Sequence, residues 1–193
     1  REHCELDFFG GEPLMNWHVV QQTIDYVHKQ EKKHGKKIKM SLTTNGLLLD
    51  KEKVKYLTDN HISLILSLDG RKEMHDRMRP GVHGEGTYDE IVKNLQYCVA
   101  NRKGEEYYVR GTFTRYNMDF TTDVIDMIDK GFPAVSMEPV VGEDTADYSI
   151  KEEDLPRVKA EYDRLAKLFI AREEEGRPFF FFHFNMDLWK GPC

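Results

Sequence analysis

The sequence predicts an α/β fold built on a parallel sheet, and three observations carry that prediction. Apolar runs of strand length alternate about five times with amphipathic segments of helix length along the 193 residues. The segments between successive strands suit crossover helices and are too long for hairpins, which makes neighbouring strands parallel. The residues with chemical character gather just after strands, at Gly10 to Glu12, Thr43 to Asn45, Ser67 to Asp69, and Met137 with Glu138. In parallel sheets and barrels those carboxyl ends are where ligands bind. Each corner alone also fits a turn or a cap.

The first apolar run, Leu6 to Phe9, stops at Gly10-Gly11-Glu12-Pro13. Glycine lacks a Cβ, so another molecule can approach the main chain closely and offer a cation to its carbonyls. Glu12 adds a negative charge and Pro13 stiffens the exit. Asn16 can cap a helix in which Trp17, Val20, Ile24 and Val27 recur at three- and four-residue intervals, with Gly35 as its stop. Ile38 to Thr44 is a strand with Ile38, Met40, Leu42 and Thr44 on one face, ended by Asn45-Gly46. Lys51 to Asp59 suits a short helix through Val54 and Leu57. His61 to Leu68 is a near-continuous apolar strand of the kind buried on both faces, ended by Asp69-Gly70.

Arg71 to Gly86 is an irregular basic stretch, too rich in Gly and Pro for a long helix, and a loop of that length is often functional. Thr87 to Glu90 has the capping-box spacing and opens a helix with Ile91, Leu95 and Cys98 on one face. Tyr107 to Thr114 alternates as a strand, Asp119 to Lys130 is a helix, and Ala134 to Val141 is a further strand. Ser149 to Glu152 is expected to open the long helix through Val158, Tyr162, Leu165 and Phe169. The last apolar run, Phe179 to Phe184, leads through Asn185, Met186 and Asp187 to Cys193.

Composition excludes several classes. With 39% hydrophobic and 32% charged residues the chain has the size and balance of one globular domain. No run approaches the ~18 apolar residues of a membrane span, and no signal-peptide order opens the chain, so a cytoplasmic home without membrane partners is expected. A net charge of −6 argues against a nucleic-acid binder, and Glu73 and Asp76 break up the basic loop. His3, His61, His75 and His83 lack paired-ligand spacing and read as surface or loop histidines, which leaves a zinc hydrolase without support. No GxGxxG or GxxxxGK[ST] occurs. Cys4 and Cys98 fall on apolar faces and read as small buried hydrophobes. Neither end carries a polar tail, so the chain reads as an excised segment of a longer protein.

Taken together, FFGGEP, LTTNG, SLDG, HDRMRP and MEP, in that order and each after its strand or loop, resemble the radical S-adenosylmethionine (SAM) enzymes that carry a SPASM or twitch extension. RGTFTRYN, SMEPVV, EEDLP and the closing FNMDLWKGPC narrow the likeness to peptide maturases of the SCIFF type, which install thioether cross-links. The resemblance runs along nearly the whole chain. It implies a partial (β/α)6 barrel lacking its first βα unit, with residues 1–190 as the core and 191–193 as the start of a truncated auxiliary-cluster region.

By resemblance, the backbone at Gly10, Gly11 and Glu12 would hold the SAM ammonium. Ser67 and Arg79 would hold its ribose and carboxylate side, Arg79 through a charge-assisted bond suited to a planar oxyanion. Met137 would line the adenine pocket, while Asn45 and Asp69 would contribute there or shape their turns. Cys193 resembles the first ligand of an auxiliary iron-sulfur cluster. The family's CxxxCxxC, which ligates the 4Fe-4S cluster ahead of the GGEP strand, does not occur in residues 1–193, so this segment alone is expected to be inactive. The implied reaction of the parent is cleavage of SAM to a 5′-deoxyadenosyl radical, hydrogen abstraction from a peptide, and bonding of a cysteine sulfur to carbon. The implied partners are a cysteine-rich, ribosomally made precursor peptide and an electron donor such as flavodoxin or ferredoxin. An anaerobic sulfatase maturase that makes formylglycine is the alternative within the family, and a non-catalytic SAM- or peptide-binding module the alternative outside it.

Overall fold

The computed structural model describes residues 3–102, 104 and 106–186. The strands are β1 (His3–Phe8), β2 (Lys37–Thr44), β3 (Ser63–Ser67), β4 (Tyr107–Phe113), β5 (Ala134–Pro139) and β6 (Phe180–Phe181). The helices are α1 (Trp17–His34), α2 (Lys51–Asp59), α3 (Lys72–Met78), α4 (Tyr88–Asn101), α5 (Thr121–Asp129) and α6 (Leu155–Glu174). Among the described residues the strands follow the order β1-β2-β3-β4-β5-β6, and the described pairings are parallel, as the crossover lengths require. No helix among the described residues is long and apolar enough to cross a membrane. Two compact units make up the chain: Arg1–Ser67 with Asp89–Tyr108, and Leu68–Tyr88 with Val109–Cys193.

In the first unit, β1 pairs with β2 in the register Leu6 to Met40 and Phe8 to Leu42, and β2 with β3 in the register Leu42 to Leu64 and Thr44 to Leu66. Met40, Leu42, Leu64 and Leu66 are buried, together with Val20, Ile24 and Val27 of α1 and Val54 and Leu57 of α2. The opposite face of the sheet carries Asp7, Ser41, Thr43, Ser63, Ile65 and Ser67 and is only half-buried or exposed. This corrects the expectation that β3 is buried on both faces: its burial alternates residue by residue, because Ser63 and Ser67 flank Ile65 on that polar face. Cys4 is also exposed rather than buried, since it lies on β1, an end strand of the sheet. Cys98 is buried as expected, and burial pushes its thiol up to about 11.

Pro13 sets the start of the first helical segment. It opens a 3-10 turn over Pro13–Asn16, so the amide needing a cap is that of Leu14. Glu12 caps it at 3.0 Å, and the Asn16 side chain makes no cap bond. Gly46 lies at φ +80 beneath α4, and a Cβ there would collide with Leu95 Cδ1. Only glycine satisfies both conditions.

In the second unit, β4 and β5 pair Val109 with Val135, Gly111 with Met137 and Thr112 with Glu138. Val109, Val135 and Met137 are fully buried, as are Val124 and Met127 of α5 and Leu165 of α6. Phe113 stacks on Phe120 at 4.3 Å, and Tyr162 meets Phe120 edge-on at 5.0 Å. The stretch expected to be irregular contains α3, a helix of seven residues. His75 on α3 is fully buried, correcting its reading as a surface histidine: its ring nitrogens meet the Asp69 amide at 3.3 Å and the Thr87 hydroxyl at 3.2 Å. The Thr87 hydroxyl donates to the Arg79 carbonyl, and it is the Asp76 carboxylate that accepts the Thr87 and Tyr88 amides at the start of α4. Ser149 does not open α6 either. Its hydroxyl donates to the Glu143 carbonyl, and a Glu152–Asp154 turn leads into the helix.

Candidate functional site

In the first unit the carboxyl end of β1 runs through Phe9 into Gly10 and Gly11. Gly10 lies at φ +129, a conformation that L side chains rarely adopt, and a Cβ built on either glycine would meet nothing within 4 Å. The main chain is therefore open to close approach at this corner. Glu12 turns away from that opening. Its Oε1 accepts from the Leu14 amide at 3.0 Å and the Thr44 hydroxyl at 2.9 Å, and its Oε2 accepts from the Asn45 amide at 2.8 Å. The side chain is thus a tie between the GGEP and TTNG corners. Asn45 shapes its own turn, with Oδ1 accepting from the Leu47 amide at 3.0 Å. Ser67 ends β3, half-buried, on the polar face of the sheet.

In the second unit Asp69 and Arg79 form one fork. Arg79 Nε donates to Asp69 Oδ2 at 2.6 Å and Nη2 to Oδ1 at 3.0 Å, while the Thr112 amide donates to the same Oδ1 at 2.9 Å. The Asp69 side chain is 3% exposed and that of Arg79 34%. Asp69 is therefore the anchor, and Arg79 is a cation held in a fixed direction with one edge toward solvent. Through His75 and Thr87 the Asp69 amide is tied again to the Arg79 carbonyl, so two routes fix the loop from β3 to α4. Burial holds the His75 imidazole below its ordinary value, partly opposed by Asp69. With the Asp69 amide donating to Nδ1, the neutral ring carries its proton on Nε2.

Met137 is fully buried in β5, and its sulfur occupies the space beside Gly111, where a Cβ would lie 2.8 Å from Sδ and 2.7 Å from the Leu68 carbonyl oxygen. Of the residues expected at the site, Gly10, Gly11, Glu12, Asn45 and Ser67 belong to the first unit, with Glu12 and Asn45 brought together. Asp69, Arg79 and Met137 belong to the second, with Asp69 and Arg79 brought together. Cys193 lies outside the described residues.

Sequence reasoning missed two clusters in the second unit. Arg71 donates to the fully buried Asp123 through Nε at 2.7 Å and its amide at 3.0 Å, and Asn117 Nδ2 adds a bond at 3.0 Å. The Asp123 and Asp119 carboxylates raise the guanidinium above its ordinary value. Burial pushes Asp123 upward, yet these donors leave it no position for a proton of its own, and we take it as the carboxylate. The second cluster joins Glu138, His183, Tyr162 and Ser136. Its only sequence signal is the glutamate of MEP. A cleft of about 730 Å³ lined by Cys4, His28, Glu31, Lys37 and Ile38 lies toward the amino ends of β1 and β2 and contains none of the expected residues.

A family model for the radical SAM superfamily matches residues 5–128, well over half of the chain. The chain belongs to the radical SAM superfamily. Within the superfamily it is 29% identical over 109 residues to a cysteine-type anaerobic sulfatase-maturating enzyme of Clostridium novyi (strain NT), an alignment covering 56% of this chain and 28% of that protein. It is 28% identical over 121 residues to the radical SAM cyclopropyl synthase TigE of Paramaledivibacter caminithermalis, covering 61% and 24%. The chain thus spans about a quarter of the length of these relatives. The structure of native anSMEcpe with bound AdoMet and Kp18Cys peptide superposes with a TM-score of 0.84 at 22% identity, over 96% of this chain and 51% of that one. That likeness shows the fold.

Proposed function

We propose that this chain is the SAM-binding core of a radical SAM peptide maturase that forms thioether cross-links between cysteine sulfur and carbon in a cysteine-rich, ribosomally made precursor peptide. Superfamily membership together with the open glycine corner carries the reading: Gly10 and Gly11 leave the main chain bare at the end of β1, where an ammonium group can be bound by carbonyls. By the resemblance, each unit offers groups that suit one part of SAM. The backbone at Gly10, Gly11 and Glu12 would take the ammonium, Ser67 the ribose, and the solvent edge of Arg79 the carboxylate, with Asp69 fixing its direction. Met137 fits adenine less well, because its side chain is fully buried beside Gly111. Bound in the intact enzyme and reductively cleaved there, SAM would supply the means of abstracting a hydrogen atom from a substrate carbon.

The described residues do not fit a 4Fe-4S cluster. No group of three potential ligands occurs among them, Cys4 is an isolated exposed thiol, and Cys98 is buried. On this reading residues 1–190 form the core and 191–193 begin an auxiliary-cluster region headed by Cys193, with the primary cluster ligands elsewhere in the intact enzyme. The isolated chain would then be inactive. A flavodoxin or ferredoxin would supply electrons in the cytoplasm.

Formylglycine formation is a second reading, favoured by the sulfatase-maturating relative. One experiment separates the readings: intact enzyme, reconstituted anaerobically with iron and sulfide and reduced, is incubated with SAM and a cysteine-containing precursor peptide, and 5′-deoxyadenosine and peptide mass are measured. 5′-Deoxyadenosine with a peptide that has lost hydrogen but kept an alkylation-resistant sulfur is expected. Loss of the sulfur would replace thioether formation by formylglycine formation. Absence of 5′-deoxyadenosine despite bound SAM would leave a binding module.

A further inference from the structure

Glu138 ends β5, and the β4–β5 register puts it with Thr112, and Ser136 with Arg110, on the face opposite Val109, Gly111 and Met137. Its carboxylate is held on both sides. Ser136 Oγ lies 2.6 Å from Oε1, and His183 Nε2 lies 3.0 Å from Oε2. His183 Nδ1 lies 3.1 Å from the Tyr162 hydroxyl. Burial, reinforced by the charge of Glu138, pushes the Tyr162 phenol up to about 12, so it keeps its proton and donates to Nδ1. Nε2 then carries the ring proton and donates to Glu138. The line Tyr162, His183, Glu138 is thus polarised in one direction, with the carboxylate at its end.

Two buried carboxylates of this unit, Asp69 and Asp123, are saturated. Asp69 is 3% exposed with three donors, and Asp123 is fully buried with its donors from Arg71 and Asn117. The Glu138 side chain remains 26% exposed, and a carboxylate oxygen accepting one bond keeps a free lone pair. A base fixed by packing and open to one side can take a proton from a bound group.

We propose that Glu138 is the proton acceptor for the cysteine thiol of the peptide substrate, oriented by Ser136 and by the His183–Tyr162 pair. In this step the S–H bond breaks, its electron pair stays on sulfur, and the proton passes to a Glu138 oxygen. The proposal rests on the peptide-maturase reading and adds to it the residue that activates the sulfur. Ser136, His183 and Tyr162 are positioning residues. Arg110 shares this strand face, across from Ser136.

The first test uses the intact enzyme with a cysteine-containing peptide and compares wild type with Glu138→Gln. The ratio of modified peptide to 5′-deoxyadenosine should fall by on the order of 100-fold, the usual size of a lost general base. Glu138→Asp should recover part of it. The second test needs no turnover: with peptide bound and SAM omitted, alkylation of the peptide thiol is followed from about pH 6 to pH 9, bracketing the ordinary thiol value. Alkylation below the ordinary thiol value, where a base must take the proton during the reaction, should slow in Glu138→Gln and change by a smaller step in Tyr162→Phe, which keeps the ring packed on Phe113 and Phe120. An unchanged product ratio or unchanged alkylation rates would overturn the proposal while wild-type turnover leaves the maturase reading standing. Absence of 5′-deoxyadenosine in the wild type would remove that reading and this proposal with it.

Discussion

Replacing Asp69 with alanine removes one acceptor from three donors at once: Arg79 Nε, Arg79 Nη2 and the Thr112 amide. Removing one member of a fully buried ion pair costs about 3–5 kcal/mol, because the other charge is left without a partner in low dielectric. Arg79 is 34% exposed and can turn to water, which brings the charge contribution toward the ~0.2–1 kcal/mol of exposed pairs. The Thr112 amide cannot turn, and an orphaned buried donor adds about 1–3 kcal/mol. The loss should therefore be about 2–4 kcal/mol, read as a lower urea midpoint at neutral pH with an unchanged slope. Asp69→Asn keeps an oxygen for the Thr112 amide and should recover about half of that loss. In the intact enzyme, SAM affinity should weaken by about tenfold in Asp69→Ala, since ~1.4 kcal/mol of lost direction at Arg79 is enough for that. A stability loss below about 0.5 kcal/mol, the range of ordinary surface substitutions, would refute the reasoning and leave the Asp69–Arg79 fork without a structural role.

Two further outcomes follow from the same geometry. Glu12→Ala should cost about 1–2 kcal/mol, the loss of a cap plus the Thr44 tie, and should weaken SAM binding because the open Gly10-Gly11 corner is no longer anchored; unchanged unfolding and binding together would remove Glu12 from the site. His75 has a folded-state value below its unfolded one, so the stability it contributes is whole above pH ~6.5 and is lost as pH falls toward the folded value. The urea midpoint should accordingly fall between about pH 7 and pH 5 in the wild type and fall less in His75→Gln, and equal slopes would contradict the buried neutral ring.

The fold was legible because it rests on periodicity. The helix Lys51–Asp59 has the same limits in sequence and structure, and the predicted strands at Ile38, Tyr107 and Ala134 differ from β2, β4 and β5 only at their ends. The corners were legible as well, since glycine, proline and Asn-Gly mark where a strand stops. What failed were statements about which backbone or side-chain group a given residue meets. Asn16 has the right residue type for a cap, but Pro13 starts the turn earlier and moves the orphan amide to Leu14. His75 looks like a loop histidine until α3 turns it onto the Asp69 amide and Thr87.

The sequence by itself determined the alternation of strand and helix, the parallel sheet it forces, and the motifs at the strand ends that mark a radical SAM chain. Those follow from the periodicity of apolar residues and from glycine and proline geometry, which any reader of the chain can count. Only the tertiary structure decided what the charged corner residues do. Glu12 meets Thr44, Asp69 meets Arg79 and Thr112, Arg71 meets Asp123, and Glu138 meets His183, across 32, 10, 43, 52 and 45 positions of chain respectively. A carboxylate's partner depends on which donor the packed strands and helices bring within about 3 Å, and no local pattern in the sequence encodes that distance.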